Sequence, residues 1–339
     1  MPTSHPGRNA TDPGEIPASG WWQITKRVLR GLGHQRIGLI SAGMAFYMFL
    51  SLIPTLASLL TVYGLIADPA EVRDQVAKLS GILPPDVVAL LDREMARVTG
   101  AGALAGWSLV ITITIAIWGA SKAMNALVIA VNIAYREEIA LNFIKQRFVS
   151  LILTVGSIIF SVLVLIFLAV IPAGIRWLPL TEGLQTTLSL IRWPLLLVTS
   201  MIWLAVIYRF APHRRGAKWK WITRGSAVAG ILWVLASVGL TYGTSHFFDY
   251  SATYGSLGAI LLILLWFHIT GYVLLIGALL NAETEHQTKW DTTIGEDRPI
   301  GKRGAFVADH TAGGDEDPFM SSPNPIVEGL RTKKSSKPE

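Results

Sequence analysis

Residues 111–135 read ITITIAIWGASKAMNALVIAVNIAY, and this apolar stretch decides the fold. At 100° per residue, Trp118, Lys122, Asn125 and Asn132 fall within roughly 80° of one another on a helix, so they form one polar stripe. A lysine near the centre of a bilayer costs about 2.5–3.5 kcal/mol, which makes it a candidate functional residue. The stretch therefore predicts a membrane helix whose polar side faces protein or water.

The composition is that of a membrane protein. Hydrophobic residues make up 51% of the 339-residue chain and charged residues only 15%, whereas soluble domains carry about 25% charged residues. The net charge of +6 agrees with the excess of Lys and Arg that cytoplasmic loops carry, so it does not indicate nucleic-acid binding. The chain has no cysteine, which excludes disulfides, a thiolate nucleophile and thiolate metal sites.

Six apolar stretches are each long enough to cross a bilayer. They lie near residues 37–67, 104–135, 148–175, 193–210, 222–247 and 257–282. The first is longer than the membrane requires, and Pro54 is expected to break it. Residues 68–102 predict an amphipathic helical hairpin. We therefore predict an all-α polytopic membrane protein, a six-transmembrane-helix bundle with this hairpin between helices 1 and 2.

The segments that flank the bundle differ from it in composition. Residues 1–36 are expected to form a tail followed by an amphipathic lead-in at the membrane interface, anchored by Trp21 and Trp22. Residues 285–339 are rich in polar residues and glycine and lack apolar periodicity, so we expect disorder there. The transmembrane domain is then residues 37–284.

Lys and Arg are divided unequally between the two sides of the predicted bundle. Of the 29 in the chain, 22 fall on the side of both termini and 6 on the other side. Because positive residues are retained in the cytoplasm, both termini are expected to be cytoplasmic. The basic, aromatic loop 209–224 is expected to contact anionic membrane lipid and not nucleic acid.

Polar residues inside the spans are candidates for a substrate pathway. They are Tyr47, Ser51 and Thr55 in the first span, Trp118, Lys122 and Asn125 in the second, and His268 and Glu283 in the sixth.

Each candidate has a plainer interpretation. Lys122 could line a polar cavity, or it could be a snorkelling or structural lysine. Its amine could hold an anion, or pair with a carboxylate such as Glu283 or Asp249. His268 alone in an apolar helix is more often a satisfied buried donor than a proton relay. Asn125 could equally join two helices by a hydrogen bond.

Signals for an enzyme are weak. The histidines lack metal-ligand spacing, the spans contain no cluster of carboxylates, and residues 295–302 depart from a phosphate loop in the spacing of their glycines. We therefore expect no catalytic residue, no bound metal and no cofactor.

Three blocks of sequence resemble the YihY/BrkB family of bacterial inner-membrane proteins. They read FYMFLSLIP at 46–54, IWGASKAMNALVIAVNIAY at 117–135 and YGSLGAILLILLWFHITGYVLLIGALLNAE at 254–283. The resemblance implies a six-span bundle in the bacterial inner membrane. Family members have been labelled virulence factors and, misleadingly, ribonuclease BN, and a relative has been linked to transport of a lipopolysaccharide precursor. The family commonly has Arg in place of Lys122 and Glu in place of Leu279.

The leading interpretation is a transporter, exporter or lipid flippase that moves an amphipathic or anionic substrate past helices 1, 2 and 6. The alternative is a non-transporting scaffold in envelope maintenance that recruits partners through the hairpin or the tail. A ribonuclease is disfavoured because catalytic residues are not found. A six-helix chain could enclose a pathway alone or at a subunit interface, and both arrangements stay open.

Overall fold

The structure is a computed structural model that describes residues 5–66, 105–137, 143–167, 181–246 and 257–312. Its helices are α1 (Ala18–His34), α2 (Ile37–Ile66), α3 (Ala105–Ala134), α4 (Phe143–Leu165), α5 (Glu182–Phe210), α6 (Trp219–His246), α7 (Leu257–His286) and α8 (Phe306–Asp309). The prediction of an all-α polytopic membrane protein is confirmed. The hairpin predicted at 68–102 lies outside the described residues.

Helices α3 to α7 are each long and apolar enough to cross a membrane. A sixth span results when α1 and the first part of α2, which are bent by 64°, count as one broken span. The bend lies next to Arg36, whose φ of 51° is in the left-handed region and cannot continue a right-handed helix. Helix α2 runs on through Pro54, so the expected break at that proline is wrong.

Helix α5 starts earlier than the sequence indicates. It begins at Glu182 instead of near Trp193, and Pro194 lies inside it. Membrane helices tolerate an internal proline because neighbouring groups satisfy the carbonyl that the proline leaves free. Charged and polar residues at 182–192 therefore belong to the helix and not to a loop.

Helices α2 to α7 pack in chain order around a ring, which α7 closes by lying against α2. Helix α7 also contacts α3 across the ring and carries α1 on its side. It is therefore the element that most of the bundle touches.

Burial changes along every long helix. We call the end of the bundle where residues 5–17 and 287–312 pack the base. In α3, none of the described residues between Val110 and Ala123 is buried, whereas most of those from Met124 to Tyr135 are. In α7, residues 260–270 are partly or fully exposed and most residues from Gly271 onward are buried. The packed core thus lies toward the base, and the other half of the bundle is open.

The terminal segments are ordered where composition predicted disorder. The buried guanidinium of Arg303 donates hydrogen bonds to the carbonyls of Lys289, Trp290, Arg298 and Ala308, at 2.6 to 3.2 Å. The hydroxyl of Thr288 donates to the carbonyl of Ala10 at 2.6 Å. The expectation of disorder is therefore wrong for residues 285–312, because main-chain hydrogen bonds to Arg303 and buried apolar residues such as Val307 hold the segment. Residues 313–339 lie outside the described part.

The closest helix crossing joins α6 to α7. The Gly225 N–H donates to the side-chain carbonyl of Asn281 at 2.8 Å, and a Cβ at Gly225 would overlap the carbonyl oxygen of Gly277. Gly230 similarly touches Met201 of α5. Gly239 and Gly243 form a GxxxG pair in the sequence, a pattern typical of close helix packing. Among the described residues, however, nothing lies within 4 Å of a Cβ added to Gly239.

We expect Gly225→Ala to lower the free energy of unfolding by about 1–3 kcal/mol, because an overpacked site must move its neighbours. Tryptophan fluorescence during heating in detergent would show this as a lower melting temperature. Gly239→Ala is the matched control on the same helix and should leave the melting temperature unchanged. Equal melting of both variants would contradict the close crossing.

Candidate functional site

Helices α2 and α3 are in contact at Ser51 and Gly119. A Cβ added to Gly119 would lie 3.4 Å from the Cα of Ser51, at van der Waals contact. This crossing fixes which side of each helix faces the other, and it therefore fixes where the predicted polar residues point.

Lys122 and Trp118 lie on the outer surface of the bundle. The buried residues of α3 include Leu127, Val131 and Ala134, which share one side of the helix. Lys122 and Trp118 fall on the opposite side at 100° per residue. Trp118 is 61% exposed and Lys122 is half-buried. This pair therefore faces outward, away from the buried side of α3, and the expectation that the polar stripe faces protein or water stays a prediction.

Tyr47 of α2 borders the same outer surface. It lies about 40° around α2 from Ser51, on the side of the exposed Phe46 and Leu50, and Lys122 lies about 60° around α3 from Gly119. Both residues are one turn closer to the base than the crossing. Helical geometry therefore places Tyr47, Ser51, Trp118 and Lys122 on the same outward-facing side of the α2–α3 pair, and we call this side the lateral groove.

The ammonium group of Lys122 points away from the base. Its Nζ lies 5.1 Å from the centre of the Trp118 ring, one turn toward the α3 N-terminus, as expected from the lean of helical side chains. Within the described part of the chain no carboxylate pairs with it. Lys122 therefore offers a positive charge next to an exposed aromatic ring on an outer surface.

The other candidate residues lie elsewhere. The Asn125 side-chain carbonyl accepts hydrogen bonds from Gln146 at 3.1 Å and Ser150 at 3.4 Å, which joins α3 to α4. The ring of His268 lies 3.2 Å from the hydroxyl of Ser41, between α7 and α2. The side chain of Thr55 is outside what the structure describes. The predicted pathway residues thus do not form one continuous line among the described residues.

Glu283 lies in a buried ionic cluster at the base. Its carboxylate is 1% exposed and accepts hydrogen bonds from Arg27 at 2.6 Å and Arg136 at 2.5 Å. Arg27 also donates to Gln287 at 2.5 Å, and His286 lies 3.5 Å away. The suggested pairing of Glu283 with Lys122 is therefore wrong, since two arginines hold both carboxylate oxygens. We call Arg27, Arg136, Glu283 and Gln287 the base cluster.

Sequence reasoning missed the partners of Glu283. Arg27 and Arg136 precede it by 256 and 147 residues, so no local spacing links them. The available signal was weaker: Arg27 stands at the edge of the apolar side of α1, and Arg136 directly follows α3. An arginine at either position also fits an ordinary interfacial anchor.

The basic loop 209–224 uses most of its charge within the protein. Arg214 pairs with Glu285 at 2.6 Å, and both side chains are almost fully buried. Lys218 pairs with Asp297 at 3.0 Å, and Lys220 lies 3.8 Å from Asp12. Contact of this loop with anionic lipid stays a prediction, but few of its cations are left to make it.

Glu137 stands where α3 meets the C-terminal segment. Its carboxylate accepts a hydrogen bond from the backbone N–H of Phe306 at 2.9 Å. Burial raises the pKa of Glu137 to about 7, against the opposing charge of Arg214. Its charge state near neutral pH therefore affects how α8 is held at the base.

The helix ring, the apolar outer surfaces and the packed base together define a class, the polytopic α-helical membrane proteins. The chain belongs to the virulence factor BrkB family, which matches residues 28–299. Among the described residues, no group of three or more His, Cys, Asp or Glu side chains could hold a metal ion.

Relatives with curated descriptions agree with this class. The ribonuclease-like protein YfkH of Bacillus subtilis is 29% identical over 249 residues, which cover 71% of this chain and 88% of that protein. A UPF0761 membrane protein of Vibrio atlanticus is 22% identical over 80% of this chain and 86% of its own length. No solved structure matches the chain. Of these two relatives, the Bacillus protein has the word ribonuclease in its name and the Vibrio protein does not.

We expect Glu283→Gln to lower the free energy of unfolding by about 3–5 kcal/mol, because it removes the buried carboxylate charge to which both Arg27 and Arg136 donate. Chemical or thermal unfolding followed by tryptophan fluorescence would measure the loss. Glu296→Gln, at an exposed carboxylate, is the control and should behave like the wild type. A Glu283→Gln variant as stable as this control would contradict the role of the base cluster.

The raised pKa of Glu137 predicts a pH dependence of stability. Folding favours the protonated carboxyl, so its contribution is complete below the ordinary pKa of 4.5 and is lost as the pH rises through about 7. We expect Glu137→Gln to flatten the fall in melting temperature between pH 5 and pH 8. Parallel pH profiles of variant and wild type would contradict this assignment.

Proposed function

We propose that this protein transports, exports or flips an anionic amphiphile in a bacterial inner membrane. The polar headgroup would pass along the lateral groove, in contact with Lys122. The observation that carries the proposal is the position of Lys122, a cation on an outer surface with no carboxylate partner in the described part of the chain.

The energetic cost of a charged lysine that faces the membrane supports a ligand with a negative charge. A charge that faces hydrocarbon costs about 2.5–3.5 kcal/mol on insertion scales. A phosphate or carboxylate headgroup at the Lys122 ammonium would offset that cost through a charge-assisted hydrogen bond. The adjacent Trp118 ring could contact both a headgroup and its acyl chains, because an indole has an apolar ring and a polar N–H.

The shape of the bundle supports a lipid-like substrate. The lateral groove lies on the outer surface, so acyl chains could stay in the bilayer while the headgroup contacts protein. The half of the bundle away from the base is open, with exposed apolar residues such as Ile111, Ile115 and Leu235. A soluble metabolite would require an enclosed polar channel instead, and the predicted pathway residues do not line one among the described helices.

The distribution of Lys and Arg indicates how the protein is oriented in the membrane. Because 22 of the 29 Lys and Arg residues fall on the side of the termini, we place the base and both termini in the cytoplasm. The lateral groove then opens toward the outer half of the membrane.

A scaffold without transport activity is the second candidate. It is favoured by the ordered terminal segments, in which residues 5–17 and 287–312 fold together on the base. Such a surface could recruit a partner. It would not require the unpaired charge of Lys122, which is why we prefer transport.

We expect Lys122→Met to weaken retention of phosphatidylglycerol by about tenfold, as loss of a hydrogen bond to a charged group implies. Native mass spectrometry of the protein in mild detergent measures retention. Movement of fluorescent phosphatidylglycerol across proteoliposomes, followed by dithionite quenching, measures flipping and should fall in the same variant.

Lys145→Met removes an exposed cation from α4 and is the matched control, which should behave like the wild type. Lys122→Arg keeps the charge and should retain most of the activity. Equal retention and flipping in the wild type and Lys122→Met would exclude Lys122 from the site. It would then shift support to the scaffold.

A further inference from the structure

Helix α1 has two different sides. Its inner side packs on the bundle through buried Gly20, Ile24, Val28 and Gly31, and Arg27 at the edge of that side joins the base cluster. Its outer side carries Trp22, Lys26, Leu29 and Arg30, which fall within about 100° of one another around the helix. No described element covers this outer side.

The outer side combines exposed apolar and basic residues. Trp22 and Leu29 are 61% and 62% exposed, and Lys26 and Arg30 are exposed between them. The Lys26 ammonium lies 5.1 Å from the centre of the Trp22 ring. Large apolar side chains interleaved with cations are typical of helices that lie in a membrane interface.

The cations of this side are unpaired among the described residues, since Lys26 and Arg30 have no carboxylate partner there. The basic loop 209–224 differs, because four of its six cations, Arg214, Arg215, Lys218 and Lys220, pair with Glu285, Asp291, Asp297 and Asp12. The other two, Arg209 and Arg224, lie against the rings of Trp219 and Trp21. Positive charge that is free to meet an external anion is therefore found on α1.

The outer side of α1 also continues a lipid-facing surface. Helix α2 follows after the 64° bend, and its outer residues Leu39, Phe46 and Leu50 are 54% to 70% exposed. These apolar residues suit hydrocarbon, and α1 lies directly below them at the base. A leaflet that surrounds α2 would thus place its headgroups against α1.

We propose that the outer side of α1 docks on the anionic phospholipid headgroups of the leaflet at the base. Lys26 and Arg30 contact the phosphates, and Trp22 and Leu29 insert between the headgroups. This surface is separate from the lateral groove, so the inference holds or fails independently of the transport proposal.

Because the chain has no cysteine, one introduced cysteine can be labelled specifically with a fluorophore. Gly33 lies on the same side of α1, is exposed, and has nothing within 4 Å of an added Cβ, so Gly33→Cys accepts an environment-sensitive fluorophore. The labelled full chain is reconstituted in vesicles of phosphatidylcholine, or of phosphatidylcholine with phosphatidylglycerol at about 7:3. A trace of lipid with a nitroxide on its headgroup quenches a probe that lies at the headgroups.

Quenching should be at least about twofold greater in the phosphatidylglycerol vesicles, and high salt should reduce it because it screens surface charge. Adding Lys26→Gln and Arg30→Gln should abolish the difference in quenching between the two kinds of vesicle. The control pair Lys145→Gln and Lys289→Gln removes the same net charge from other exposed sites and should preserve the difference.

Equal quenching in the two vesicles, or a difference that survives Lys26→Gln and Arg30→Gln, would overturn the proposal. Water-like emission without quenching in either vesicle would also overturn it and would indicate a protein partner or open solvent. Lys122→Met should leave the signal unchanged, so failure of the transport site and failure of this surface are distinguishable.

Discussion

The buried carboxylate of Glu283 is the constraint on which the base depends. A charge that is 1% exposed must be paired, and here both oxygens are held by arginines from α1 and from the end of α3. Two segments that are far apart in the chain are therefore fixed to one point of α7. The terminal segments pack around that point, which is why one end of the bundle is closed and ordered.

The half of the bundle away from the base is not packed in the same way, and its side chains are largely exposed. There the long helices present apolar side chains on nearly every side, as a lipid solvent permits and water does not. Polar residues in this half are informative because each one carries a cost. Asn125, at the boundary with the packed half, offsets its cost through Gln146 and Ser150, whereas Lys122 contacts the Trp118 ring and no carboxylate among the described residues. That contrast is the basis of the lateral-groove proposal.

The positive charges of the chain separate into two groups that look alike in sequence. Arg27, Arg136 and Arg214 are neutralised inside the base by Glu283 and Glu285. Lys26 and Arg30 stay exposed on α1. Charge counting predicts the orientation of a membrane protein because it sums over loops. It cannot identify a lipid-binding surface, since that depends on which cations already have partners.

The sequence by itself determined the all-α membrane class and the polar character of the second span, because hydrophobic periodicity and composition are local properties. The sixth span depends on whether α1 and the first part of α2 count as one broken span, and α5 begins at Glu182 and not near Trp193. Only the tertiary structure decided the direction in which Lys122 faces, since the Gly119–Ser51 crossing sets the rotation of α3 against α2. It also decided the partners of Glu283 and the order of residues 285–312. The partners of Glu283 lie 256 and 147 positions away, and the order of residues 285–312 depends on specific hydrogen bonds of Arg303 and Thr288; neither follows from hydrophobic periodicity.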